Sequence, residues 1–378
     1  MQGRDDFQIT LLQVLETVTE EPSVIFGDPK IFTSRVLPSL AILYKGNKDA
    51  DARFLCLKIL FDLMVVIFND TSGNSLTEDE QIKNDLKLIS EAYFLPLYPT
   101  FIEDDDPIPM YAQKLLVMLI EFNYIKVSDI LQLKTVPHSF EFLLCDLSNA
   151  NVNNVKLCLA LASAPEMDSK VLSHLQVVRK IGNLLELVNA KEMEDFLEPT
   201  LGLCKAFILR SIGSSKGMAI SKEPALLCNT ALDMNMDVDQ QYYIKDISEF
   251  SSNISAFLEL IGNPEGHIAE LASECVVLLL KAAPKEATMG LLTNLSKTSS
   301  LLDALCHGHS GLLLPHLLHA LAFSCRQYLS QAMILSISIP DIKRIEVLVS
   351  DLKSSRVPGV PEAAYSLGFE LQRLLCCV

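Results

Sequence analysis

Tryptophan is absent from this 378-residue chain, and aromatic residues of all kinds reach only 7%. An interior short of large rings must be filled by Leu, Ile, Val and Ala, the side chains that pack helix against helix. Sustained alternation of apolar and polar residues is missing, as are the Asn-Gly and Asp-Gly turns that close hairpins, so no β class is indicated. Positive charge is scarce. The chain has 31 Lys+Arg against 47 Asp+Glu, a net charge of −16 and a pI near 4.9, which argues against general binding to nucleic acid or an anionic membrane surface. No CxxC pair occurs among the ten cysteines, so zinc ribbons and thioredoxin-like chemistry lack their spacing. Most cysteines, such as Cys56 and Cys158, sit among apolar neighbours. Cys376 and Cys377 alone are adjacent. Reduced, buried thiols in a cytoplasmic protein are the simplest reading.

What is present points to a packed helical protein. Hydrophobic residues make up 49%, charged residues 21%, and mean hydropathy is +0.29, which rules out disorder as the main state. Met1–Asp6 is polar and no apolar core follows it, so no secretory signal is read. The sequons at Asn69, Asn253 and Asn294 therefore carry no weight. From Asp303 to Arg326 no charged residue intervenes, which raises the question of a membrane span. Four histidines, Pro315 and the glycines Gly308 and Gly311 interrupt that run. A turn followed by a buried helix explains it better.

Apolar residues recur at helical spacing nearly everywhere. Phe54, Leu57, Leu60, Phe61 and Met64 form one stripe; Leu115, Met118, Leu119 and Phe122 form another; Leu271, Cys275, Leu278 and Leu279 a third. The brief alternation over Ile334–Ile339 ends at Pro340 and reads as a helix end. Five segments share a turn former, a small residue and a Leu-rich face: 51–60, 107–116, 153–160, 264–272 and 361–369. Their gaps approach one or two units of roughly 40–50 residues, the length of HEAT and armadillo repeats. The expected fold is all-α: an armadillo/HEAT-like α-solenoid, a right-handed superhelix of stacked helix pairs or triplets, continuous over residues 1–378. A single compact core stops growing near ~250–300 residues, whereas a stack grows in one dimension. Polar loops are expected near 69–84, 213–222 and 233–241, with an acidic turn at Glu103–Asp106.

Sites of chemistry are few. His307, His309, His316 and His319 cluster, with Asp303, Cys306 or Cys325 nearby, but the tight ligand pairing of zinc sites is lacking and Pro315 divides the group. Asp233, Asn235, Asp237 and Asp239 begin like a calcium loop. Val238 replaces its turn glycine and Ile244 its closing Glu, so the loop can neither bend nor close. Gly308–Gly311 lacks nucleophile-elbow spacing, and Gly213–Gly217 lacks the spacing of a phosphate loop. Kinase motifs are absent. The reading is therefore no catalytic, cofactor or metal site, and no small-molecule substrate. Charge distribution says more. Acids vanish between Glu198 and Glu223 while Lys205, Arg210, Lys216 and Lys222 remain, and Lys343, Arg344, Lys353 and Arg356 form a second basic grouping. On an acidic molecule these two patches could meet an acidic partner.

The segments Phe196–Ser211, Gly262–Val277 and Arg356–Phe369 resemble the C-terminal armadillo/HEAT region of RUNKEL-type proteins, plant relatives of the Fused-type kinases. The plant TWO-IN-ONE kinases share a similar layout. The resemblance implies an N-terminal kinase or pseudokinase domain in the family, which this chain lacks, as a fragment or a truncated product would. It also implies C-terminal repeats that attach the protein to microtubules, kinesin-type motors or signalling partners during cell-plate formation, placing it on the cytoskeleton and phragmoplast. A generic helical-repeat adaptor for trafficking or transport complexes is the alternative. An acidic chain on acidic microtubules requires a localised basic face or an intermediary protein.

Overall fold

The computed structural model describes residues 2–69, 79–133, 151–167, 176–212, 246–307, 313–331 and 333–377, and they are helical almost throughout with no strand among them. The chain divides into two compact units, Met1–Ser139 and Phe140–Val378.

The first unit contains α1 (Gln2–Thr19), α2 (Pro22–Gly27), α3 (Pro29–Ile31), α4 (Leu37–Gly46), α5 (Ala50–Phe68), α6 (Glu80–Leu88), α7 (Leu95–Ile102), α8 (Ile108–Glu121) and α9 (Val127–Leu131). Its helices stack in two rows. One row is α1, α5 and α8, each packed on the next. The other is made of two long helical segments, α3 running into α4 and α6 into α7, joined by π-helical turns at Phe32–Val36 and Ile89–Phe94. The cause of both π turns is in the sequence: each sits just ahead of a Leu-Pro pair, Leu37-Pro38 and Leu95-Pro96. Proline has no N–H and its ring crowds the carbonyl four residues back. The turn widens instead, so that Leu37 N–H reaches Phe32 O and Leu95 N–H reaches Ser90 O. The buried Thr33 in the first π turn donates its hydroxyl to Asp85 Oδ2 on α6 at 2.9 Å, tying the two segments together.

The second unit contains α10 (Val152–Ser163), α11 (Val177–Ala190), α12 (Glu194–Ile212), a 3₁₀ turn (Ile247–Asn253), α13 (Ile254–Ile261), α14 (Gly266–Ala282), α15 (Pro284–Thr293), α16 (Leu295–His307), α17 (Leu313–Ser330), α18 (Ile339–Leu352) and α19 (Val360–Cys377). Two rows are again evident. Helices α10, α12, α14, α17 and α19 pack in succession, while α11, the 3₁₀ turn with α13, α16 and α18 form the second row against them. Each inter-row seam is apolar, with Leu201, Phe207, Ile208, Leu279, Leu318 and Leu367 almost fully buried. At Gly290 on α15 a Cβ would meet Ser251 O at 2.7 Å and Ile254 Cδ1 at 2.6 Å, so only glycine lets α15 approach the 3₁₀ turn this closely.

The α-solenoid reading holds in each unit, and all five repeat-like segments open or lie within helices: α5, α8, α10, α14 and α19. Asp49 and Asn151 cap α5 and α10 by accepting backbone N–H bonds from Ala52 and Asn153. Two local expectations differ. The polar stretch 69–84 is helical from Glu80, because Asp79 caps α6 by accepting from Gln81 N–H and Ile82 N–H. Pro340 does not end a helix but opens α18, where a first-turn proline is tolerated. The alternating run before it has no regular secondary structure, with Met333 and Ile337 buried and Ile334 exposed. The stretches 213–222 and 233–241 lie outside the described residues.

Candidate docking site

The first basic grouping is divided by its helix. Lys205 and Arg210 both lie on α12. Lys205 Nζ pairs with Glu274 on α14. Arg210 turns inward, where its guanidinium donates to the carbonyls of Ala162, Ala164 and Met167 at the end of α10. Ala162 lies in the last turn of α10, whose carbonyls have no intrahelical partner, and Ala164 O also accepts Met167 N–H at 3.2 Å. Burial lowers the pKa of the Arg210 guanidinium from its usual value. Lys216 and Lys222 lie outside the described residues. The described part of this grouping is thus a surface ion pair and a structural clamp.

The second grouping is open. Lys343 and Arg344 are exposed on α18, and Arg344 Nη1 reaches Asp341 Oδ1 only at 4.0 Å, a surface pairing of little energetic weight. Arg356 is exposed in the connection to α19. Lys353, at the end of α18, lays its ammonium 5.5 Å from the centroid of the Tyr365 ring. Sequence reading missed two further cations on this face. Arg326 of α17 and Arg373 of α19 bond the two oxygens of buried Glu370, at 3.0 and 2.9 Å. Arg373 also stands 5.7 Å over the Phe369 ring. The spacing of Tyr365, Phe369 and Arg373 along one helix was the available signal, because these residues fall off the buried stripe of Ala364, Leu367, Leu371 and Leu374.

The acidic turn at Glu103–Asp106 is not wholly solvated. Asp104 is sequestered, with 8% of its side chain exposed; it receives Arg53 Nε at 2.8 Å and Arg53 Nη2 at 2.6 Å. Tyr44 donates its hydroxyl to the same carboxylate at 2.5 Å. The Arg53 bond lowers the Asp104 pKa to about 2. Burial, then the bond to Asp104, raises the Tyr44 phenol above its usual value. Three parts of the first unit are joined here, α4 by Tyr44, α5 by Arg53 and the turn by Asp104.

The histidine cluster divides too. His307 is exposed at the end of α16, with Nδ1 2.7 Å from Asp303 O. His316 and His319 are half-buried on α17, where burial lowers both imidazole pKa values. His309 and the calcium-like run lie outside the described residues. Among the described residues no three His, Cys, Asp or Glu side chains are grouped to hold a metal ion. Burial pushes the thiols of Cys56, Cys275 and Cys325 up to about 12, away from thiolate chemistry. No described helix is long and apolar enough to cross a membrane.

The helical repeats match known families. Residues 134–377 match the RUNKEL ARM-repeat domain, and residues 1–128 match the HEAT repeats of ULK4-like serine/threonine-protein kinases. The chain belongs to the RUNKEL ARM-repeat family. It is 55% identical to the serine/threonine-protein kinase RUNKEL of Arabidopsis thaliana over 99% of its own length and 28% of that protein's. The RUNKEL-type chain thus spans the repeat region of such a kinase, and the relative's catalytic part is not in it. Two engineered proteins of known crystal structure are also similar: one at 14% identity and TM-score 0.44, covering 74% of this chain and 97% of its own, the other at 12% and 0.46, covering 97% and 96%.

Proposed function

We propose that this RUNKEL-type repeat region is a non-catalytic docking scaffold that attaches its parent kinase to microtubules and to motor or signalling proteins in phragmoplast organisation and cytokinesis. The observation that carries the reading is the basic grouping of exposed Lys343, Arg344 and Arg356 with half-buried Lys353, on a chain of net charge −16. A local cationic edge attracts an acidic surface within a Debye length of roughly 8 Å at physiological salt, where the distant acids are screened. Microtubules with their acidic tails fit that requirement, and the site of action is then the cytoplasmic microtubule array. Co-sedimentation with microtubules at rising salt tests it. Binding at low salt should fall with salt and with Lys343→Glu, Arg344→Glu and Arg356→Glu together. No binding at low salt would sink direct attachment. The high net negative charge favours a second reading, in which a kinesin-type motor bridges the scaffold to the microtubule; such a motor would then restore co-sedimentation.

A further inference from the structure

The last helix uses its aromatic residues unlike the core. On α19, Tyr365 and Phe369 stand one turn apart and each is 62% exposed, while Val360, Ala363, Leu367 and Leu371 bury the opposite face. Each ring has its own cation, Lys353 at Tyr365 and Arg373 at Phe369. Lys353 is not merely passing by. A Cβ at Gly368 would meet its Nζ at 3.1 Å and its Cε at 3.2 Å, so the missing side chain is what lets the ammonium lie against α19. Arg373 and Arg326 share one buried carboxylate, Glu370, which leaves the cluster with excess positive charge. From Leu313 onward the chain has six Lys+Arg against five Asp+Glu, whereas the whole has 31 against 47. This end of the sequence is therefore one part of an acidic molecule without net negative charge. Exposed aromatic rings beside arginine are the composition of interface hot spots.

We propose that the Tyr365–Phe369 stripe of α19, bracketed by Lys353 and Arg373, docks an acidic protein segment that seats an apolar side chain between the rings and a carboxylate on each cation. The inference rests on the docking role proposed above and gives that role a surface and a chemistry. Tyr365 and Phe369, the rings that the two cations accompany, lie about 6 Å apart along the helix axis. The partner then presents its two carboxylates about one helical turn apart, or two residues apart in an extended segment. A long polyanion such as nucleic acid would meet the remaining acidic surface, whereas a short segment feels only the local field.

The probe is a fluorescein-labelled helical peptide with two Glu four residues apart and Leu between them, titrated into the full chain by anisotropy at low salt. Saturable binding is expected, weakened about tenfold by Lys353→Glu and by Tyr365→Ala with Phe369→Ala. Gly368→Ala removes no chemical group and suits a helix interior. It should leave thermal unfolding unchanged or raised while displacing the ammonium and weakening binding several-fold. A Lys285→Glu control should change nothing. No saturable binding, or equal binding to all these variants, would overturn the proposal. So would a sedimenting dimer abolished by the same variants, since that gives the face to a second copy. Peptide binding that persists where microtubules fail to co-sediment supports this face and removes only the microtubule reading.

Discussion

The two units use the same aromatic residues for opposite purposes. In the first unit the rings meet each other: Tyr44 and Phe101 edge to face at 4.5 Å, Phe94 and Phe101 at 5.4 Å, Phe68 stacked on Phe122 at 4.4 Å. Phe94 sits within the second π turn, with Tyr98 and Phe101 on the helix beyond it. A helix that changes pitch ahead of a proline presents an irregular surface, which broad rings fill better than branched aliphatics. In the second unit Phe207, Phe250 and Phe257 are buried among aliphatic seams, and the two exposed rings of α19 meet cations instead. On α19 the rings that meet cations are exposed, whereas in the first unit Tyr111, beside Lys114, also meets the rings of Phe54 and Phe61.

The strongest test of that contrast is Phe101→Ala. Phe101 is 2% exposed and touches both Tyr44 and Phe94. Its removal should cost about 3–5 kcal/mol, read as a fall in the urea midpoint of the first unit. Asp104→Asn should follow at about 3 kcal/mol, because it leaves the largely enclosed Arg53 with only the 3.9 Å contact to exposed Asp105 as counter-charge. This substitution also has a pH signature. The folded pKa of Asp104 is about 2, below the usual ~3.9. The carboxylate's contribution is therefore fully present above pH ~4 and lost as pH falls toward 2. The gap between wild type and Asp104→Asn should close over that window. A constant gap would mean that Asp104 acts by shape and not by charge.

The helices were legible because their causes are local. Apolar residues three and four apart, capping Asp49 and Asn151, and first-turn prolines all act within one turn, and so the repeat-like segments marked real helices. What escaped reading acts at a distance. Arg53 and Asp104 are 51 residues apart, and Arg326 and Glu370 are 44 apart, so no motif links either pair. Arg210 is similarly opaque: on sequence it is one of four cations in an acid-free stretch, and only the fold turns it toward α10. The π turns were legible in principle, since Leu37-Pro38 and Leu95-Pro96 repeat, but a proline inside an apolar run reads as a helix start until the packing is known.

Arg210 supplies the corresponding test in the second unit. Arg210→Met keeps the bulk of the side chain and deletes its donors to Ala162, Ala164 and Met167. Ala164 O keeps its bond from Met167 N–H, while the other carbonyls lose this donor, for a cost of about 2 kcal/mol in total. The loss should appear in the second unit's urea transition and not in the first's. A loss confined to ligand or microtubule binding, with stability unchanged, would instead return Arg210 to the docking surface.

The smallest expected effect is the most discriminating. Phe369→Ala removes a ring as large as that of Phe101, yet 62% of Phe369 is already in water. The cation over it, Arg373, keeps its bond to Glu370. Stability should therefore change by no more than about 0.5 kcal/mol, while binding of the acidic peptide drops. If Phe369→Ala instead unfolds the second unit as Phe101→Ala unfolds the first, the α19 ring is part of a core, and the distinction between rings that meet rings and rings that meet cations fails. If stability holds and binding falls, then the energy of the Phe369 ring is realised only against a partner, which is what separates a docking face from an incompletely buried one.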